Sequence, residues 1–338
     1  MHKNFTLIVC TYMRPKALQK LLNSVVSQTV YPDEILIIDG SVDDKTKSLL
    51  EENSFQNLKY FKVEDTDRGL TKQRNYGINI VSKTSEIVCF LDDDTVLEPD
   101  YFESILNTYK SHPNALGVGG YIINETDFEF VGDDYQPKQE EFYFDGWKRK
   151  DSKRFILRKK FHLDCSCNPG FSPLFSHARS VSFLPPSDKV YEVELLMGGV
   201  SSFRKEVFES HQFSIFFEGY GFYEDADFSI RVAKTGKLYL NTAAKVYHYH
   251  ESSGRPNQYK YGKMVVQNGF YIWRTKNPNP SFKVKYKWHA ITLLLITFLK
   301  INLNYPYSMV LLFYLVKIQY LIKQKLLILK QPHKIKRI

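Results

Sequence analysis

The sequence predicts an α/β protein built on a mostly parallel sheet with helices on both faces. Three observations predict it. Short apolar or β-branched runs of strand length occupy residues 5–10, 34–39, 58–62, 87–91 and 116–123. Stretches with helical spacing separate them, and strand–helix alternation of this kind builds a covered parallel sheet. The chain has 338 residues, 43% hydrophobic and 25% charged, an ordinary globular composition with enough material for one large core or two modest ones.

The first helix follows from Leu18, Leu21, Leu22, Val25 and Val26 on one face, with Pro15 in its first turn. Residues 43–53, 71–81 and 99–111 repeat the pattern. Residues 124 to about 190 carry charge runs and prolines with little periodicity, and read as an insertion or a long surface excursion. Order returns at Tyr191, with a segment ending in Gly198-Gly199, a short helix from Arg204, a helix over 224–234 and a strand over 245–250. The apolar runs 290–299 and 309–316 are each about half of the ~20 residues a spanning helix needs. They fit amphipathic helices lying in a membrane interface, with Lys317, Lys323, Lys325, Lys330, Lys334, Lys336 and Arg337 offered to anionic lipid. Packing of these helices on the body is the alternative. The expected division is therefore 1–255 as the body (1–125, 126–190 and 191–255 as its parts) and 256–338 as a basic helical tail.

Charge supports that division. Of 46 basic and 37 acidic residues, giving +9, the stretch 252–338 holds sixteen of the basic and none of the acidic ones, which leaves −7 for the first 251. Such a tail faces phosphate, in lipid or nucleic acid. Its aromatic residues sit inside aliphatic runs rather than in the isolated pattern of single-strand binders, so a membrane surface is the expected partner and nucleic acid is not. Four cysteines make no disulfide framework at this length. Cys165 and Cys167, near His162 and His177, lack the usual zinc spacing and read most simply as a loop. The N-terminus MHKNFTLIV lacks a signal-peptide layout, so the expected location is cytoplasmic and peripheral on the inner face of the cell membrane.

Three elements carry chemistry. Asp92-Asp93-Asp94 ends the apolar run 87–91. Alternation turns Asp92 and Asp94 to the same side. Two carboxylates with open positions suit a hard divalent cation shared with substrate phosphates. A calcium loop fits less well, because Val96 and Leu97 fall where it needs a ligand and a glycine. A solvated acidic turn is the plain alternative. Glu224-Asp225-Ala226-Asp227 opens a helix, where acids also serve the macrodipole. Arg231 lies four positions after Asp227 and can pair with it, which leaves Asp225 the freest candidate for proton abstraction. His248-Tyr249-His250 places two imidazoles on one side of a strand, as metal ligands or as ordinary histidines.

Together the segments FTLIVCTY (5–12), ILIIDGS (35–41), GLTKQRNYG (69–77), FLDDDT (90–95), GGVSSFRKE (198–206) and EDADFSIR (224–231) resemble, in order, glycosyltransferase family 2. The resemblance covers about residues 5–125 and 195–255. It implies a GT-A fold, a Rossmann-like mixed sheet, and metal-dependent transfer from a UDP-, dTDP- or GDP-sugar with Mn2+ or Mg2+. The implied acceptor is a glycan or lipid-linked hydroxyl in cell-envelope polysaccharide, glycolipid or lipid-linked glycan synthesis. By the same match Asp92 faces the nucleotide or ribose, Asp94 binds metal, Asp225 is the catalytic base of an inverting reaction, and His248 or His250 is the late metal ligand. Thr11, Asp39, Arg74, Gly199 and Glu224 match positions around the donor. Ile38, where the family often has an acid, and Phe222-Tyr223 before Glu224 depart from the pattern.

Overall fold

The computed structural model describes residues 4–217, 221–250 and 258–303. Strand β1 (Phe5–Thr11) pairs in parallel with β2 (Glu34–Asp39) on one side and β4 (Ile87–Asp92) on the other; β3 (Leu58–Lys62) extends the sheet beyond β2. Helices α1 (Pro15–Val26), α2 (Lys45–Glu52) and α3 (Leu70–Asn79) make the crossovers. Alternate residues of the apolar strands enter two separate cores. Leu7, Val9, Ile35 and Ile37 pack with Leu18, Leu21 and Leu22 of α1, whereas Ile8, Leu36 and Ile38 face the other side with Tyr76 of α3. This two-sided burial is why the strands read as continuous apolar runs.

The second half makes the sheet mixed. A short strand β5 (Thr95–Leu97) follows the acidic turn, and helix α4 (Tyr101–Ser111) leads into β6 (Ala115–Ile122). Strand β11 (Val200–Arg204) runs antiparallel between β4 and β6, and β12 (Lys237–His248) pairs with β6 in parallel and with β5 and β10 (Val190–Val193) antiparallel. The order in the nine-stranded sheet is β10-β12-β6-β11-β4-β1-β2-β3, with β5 on β12. The architecture is the expected GT-A type.

Three local expectations change. The segment ending in Gly198-Gly199 continues directly into β11, whose central serines hid it from an apolar-run search. The last strand begins at Lys237 rather than near Lys245, because its irregular middle carries Asn241, whose amide donates to Ser104 O and Thr108 Oγ1. The stretch 124–190 is more than a surface excursion. It builds a small antiparallel sheet of β7 (Glu129–Phe130), β9 (Trp147–Lys150) and β8 (Glu141–Phe144), followed by α5 (Lys153–Lys160). Its interior is charged: the Arg179 guanidinium forks onto both oxygens of buried Asp151 at 2.8 and 3.1 Å and lies 3.7 Å from the Phe155 ring centre.

After α6 (Glu224–Val232) and β12 come α7 (Gln258–Lys276) and α8 (Phe282–Leu303). Both pack on the body. Ile272 of α7 joins Ile230 of α6 and Phe217, and Trp273 stacks on Trp288 of α8 at 4.8 Å. Among the described residues no helix is long and apolar enough to cross a membrane. The apolar run 309–316 and the lysines from Lys317 onward lie outside the described residues.

Candidate active site

In the order β3-β2-β1-β4, successive crossovers run one way from β1 and then return to its other side, so β1 and β4 bound a topological switch point, and ligands bind beyond the carboxyl ends of strands there. Thr11 ends β1 and Asp92 ends β4. A cavity of about 1120 Å³ opens at this point, and the acidic triplet, Arg74, Gly198-Gly199, Glu224-Asp225 and His248 line it.

The triplet is sorted where β4 ends at Asp92 and the chain turns through Asp93 and Asp94. Asp93 turns into the protein, where Thr11 Oγ1 donates to it at 2.7 Å and Arg14 Nη1 lies 3.2 Å away. Burial pushes its carboxyl up to about 7 against the pull of Thr11 and Arg14. Asp92 stays open, its side chain 40% exposed, while Asp94 is nearly closed at 6%. His248, at the end of β12, brings Nε2 to 3.1 Å from Asp94 Oδ1. Burial disfavours its charged form, but Asp94 and Glu125 on its two ring nitrogens outweigh that and lift its pKa to about 10. Asp92, Asp94 and His248 each offer one ligand atom, all within 4.8 Å of one another. Two carboxylates and one imidazole, with Asp92 open to the cavity, fit a six-coordinate divalent ion that takes its remaining ligands from phosphate and water.

Opposite lies the start of α6. Glu224 accepts from Arg74 Nη1 at 2.6 Å, and the same guanidinium reaches Asp92 at 3.4 Å. Burial and neighbouring Asp225 push the Glu224 carboxyl up, to about 8, against Arg74. Asp227 is tied to Arg231, as the four-residue spacing predicts, at 2.7 Å. Asp225 accepts only from backbone amides in the hydrogen bonds of this helix start, from Ala226 at 2.7 Å and Gly198 at 3.3 Å, and burial raises its pKa. The paired glycines are a steric necessity. A Cβ on Gly199 would stand 2.0 Å from the Asp92 carboxyl carbon, and one on Gly198 would stand 2.6 Å from both Arg74 Nη1 and Glu224 Oε1. Tyr223, one of the residues that departs from the family pattern, caps α6 with a left-handed φ of 76° and lines the cavity.

Of the residues singled out in the sequence, Thr11, Arg74, Asp92, Asp94, Gly199, Glu224, Asp225, His248 and His250 line this cavity. Asp39 does not. It is fully buried beneath the wall, one oxygen taken by Ser41 N–H and the other by the Tyr60 hydroxyl. Asp92, expected on the ribose side, falls within the same ligand set as Asp94. The two histidines sit differently: His248 lies between Asp94 and Glu125, whereas His250 faces Glu125 at 2.7 Å. Among the described residues neither set of three ligand groups includes Cys165 or Cys167. Sequence reasoning missed Arg14, Gln73 and Glu125, which also line the cavity. None of them stands in a cluster of acids or histidines like those at 92–94, 224–227 and 248–250.

The glycosyl transferase family 2 model matches residues 6–176, half of the chain. The chain belongs to that family. The family 2 chain is 28% identical to a glucosyl-dolichyl phosphate glucuronosyltransferase of Haloferax volcanii over 121 residues, 35% of this chain and 38% of that protein. It is 30% identical to glycosyltransferase GlyA of Streptococcus pneumoniae over 138 residues, 39% of this chain and 20% of that protein. The match thus spans well under half the length of these curated relatives. Among solved structures, the family 2 fold is similar to S. aureus TarS 1–349 in complex with UDP-GlcNAc, with a TM-score of 0.53 at 15% identity over 88% of this chain and 74% of that one.

Proposed function

We propose that this family 2 chain transfers a sugar from a nucleotide-sugar donor to an acceptor hydroxyl with inversion, in the synthesis of a cell-envelope or lipid-linked glycan. The observation that carries the reading is the facing of two unlike acidic groups across one cavity. On one side Asp92, Asp94 and His248 converge within 4.8 Å, and on the other Asp225 is held by backbone amides.

Asp92, Asp94 and His248 would hold a divalent cation, Mn2+ or Mg2+, which when bound offsets the negative charge that grows on a departing nucleoside diphosphate. Arg74, buried between Glu224 and Asp92, adds a fixed positive charge near the same place. Gly198 and Gly199 let the β11 backbone lie close to these groups and to a donor sugar. Asp225 takes the proton from the acceptor hydroxyl. The N–H groups of Ala226 and Gly198 orient its carboxylate, and its raised pKa makes it a better base than an ordinary surface aspartate. Attack from the side opposite the leaving group inverts C1. The test is Asp225→Asn, with donor binding followed by thermal shift and transfer by release of nucleotide. Donor binding is expected to stay near wild type while transfer falls about 10²–10⁴-fold; wild-type transfer would remove Asp225 from the reaction.

The Haloferax relative's name places its chemistry on a dolichyl phosphate, and a lipid-linked acceptor here would favour a membrane surface. Helix α8 supports that location, with residues 256–338 as the membrane-associating part. Phe282, Tyr286 and Leu293 are 85, 66 and 51% exposed on one stripe, flanked by exposed Lys283 and Lys285. Replacing Phe282 and Tyr286 with Ser should weaken co-sedimentation with anionic vesicles and leave turnover on a water-soluble acceptor unchanged. Equal co-sedimentation would relocate the contact to another surface.

A further inference from the structure

We infer that Glu125 is a positioning residue for the cation set: it fixes His248 so that Nε2, and not Nδ1, is the nitrogen presented beside Asp94. The inference rests on the reading of Asp92, Asp94 and His248 as that set.

His248 is held from two directions. Its backbone is clamped by the turn that follows β6, where the Asn124 side chain accepts from His248 N–H and donates to His248 C=O, both at 2.9 Å. On the other side β12 pairs with β5, His248 opposite Thr95, and Tyr249 N–H donates to Asp94 C=O at 3.0 Å. These contacts set where the ring is but leave its tautomer open. Glu125, the next residue after Asn124, settles the tautomer. Its Oε1 lies 3.0 Å from His248 Nδ1, so Nδ1 carries the proton and donates. When a cation displaces the proton from Nε2, the imidazole left with its proton on Nδ1 has its lone pair on Nε2, the atom 3.1 Å from Asp94 Oδ1. Without the carboxylate both tautomers become available, and in one of them Nε2 carries the proton and has no lone pair to offer.

The same Glu125 oxygen also lies 2.7 Å from His250 Nε2, and Glu125, His248 and His250 form a second group of three potential ligands. That group cannot share a neutral His248 with the first, because an imidazole has one lone pair. His250 is half exposed and sits beyond the strand end with a left-handed φ of 47°. Among the described residues no side chain clamps its backbone as Asn124 clamps that of His248. Its assignment is therefore a second donor that keeps the Glu125 carboxylate in place.

The full chain and its variants would be titrated with Mn2+ alone, free ion being read by electron paramagnetic resonance. Glu125→Ala should weaken Mn2+ about 10–100-fold, Glu125→Gln, which keeps an acceptor oxygen, should recover most of that loss, and His250→Ala should stay within about threefold of wild type. Mn2+ affinity unchanged in Glu125→Ala but lost in Asp94→Ala would overturn this inference alone. Affinity unchanged in both Asp94→Ala and His248→Ala would overturn the cation set beneath it. A loss in His250→Ala as large as in His248→Ala would make Glu125, His248 and His250 the site instead, and also overturn the inference. Nitrogen-15 spectra of the Mg2+-loaded wild type give an independent reading that needs no variant. A proton on His248 Nδ1 is expected, and a proton on Nε2 would contradict it.

Discussion

The turn after β4 and the first turn of α6 each pack three carboxylates into a few residues, and the protein treats them differently. In both, arginine neutralises part of the charge. Arg14 takes Asp93 in the turn, while Arg74 and Arg231 take Glu224 and Asp227 in the helix. What is left differs. In the turn Asp92 and Asp94, each also within 3.5 Å of an arginine, remain together on the cavity side with His248 beside them. Helical spacing leaves one, Asp225, whose hydrogen bonds among the described residues come from backbone amides. Two acids and an imidazole can share a cation; one buried acid with a raised pKa can take a proton. The difference follows from where the two strings sit, one running out of a strand into a turn and the other in the first turn of a helix.

The sharpest break between the two regions is Asp225→Asn, whose expected loss of transfer with retained donor binding separates base from cation set. Next in size is Arg74→Ala, which strands the buried Glu224 carboxylate. Removing one partner of a buried pair costs about 3–5 kcal/mol, read by urea unfolding. The cost depends on pH with a definite sign. A carboxyl raised above its unfolded value binds its proton more readily in the fold, so it adds stability at low pH that is lost as pH rises toward the folded pKa. Glu224 is already lifted to about 8, and loses Arg74's opposing pull in the variant. The penalty of Arg74→Ala should therefore be larger at pH 8 than at pH 5, and equal penalties would show that Glu224 is not the stranded group.

Much of this comparison was legible in the sequence. The strand ending at Asp92 and the Asp227–Arg231 pair both follow from local periodicity. Residues 35–38 announced a central strand because both faces of it are buried. The rest depends on contacts between distant segments. Glu125 acts on His248 across 123 residues, and Arg74 on Glu224 across 150. A single sequence carries no trace of those distances. Asp39 shows the opposite case. Its match to a donor-side position is a local one, and the fold adds Ser41 N–H and the Tyr60 hydroxyl on its two oxygens.

Gly199→Ala should come next, acting on the turn without removing any charge. Its Cβ would stand 2.0 Å from the Asp92 carboxyl carbon, so the carboxylate must leave the ligand set or β11 must shift away from β4. Overpacking of this kind costs about 1–3 kcal/mol. Weakened Mn2+ affinity with a folded protein would tie the glycine to the cation set, whereas full affinity would show that the set tolerates a displaced Asp92.

The smallest effect tests the helix alone. Arg231→Lys keeps the charge beside Asp227 but loses the fork that holds it at 2.9 and 2.7 Å. Because Arg231 is partly exposed, the loss should be about 0.5–1 kcal/mol, measurable as a small drop in the unfolding midpoint. Turnover should not change, since the proposed base is Asp225 and Arg231 holds Asp227 through Oδ2. A large fall in turnover with unchanged stability would mean that the acids of α6 work as a unit, and the division between neutralised and reactive carboxylates would then hold for the turn but not for the helix.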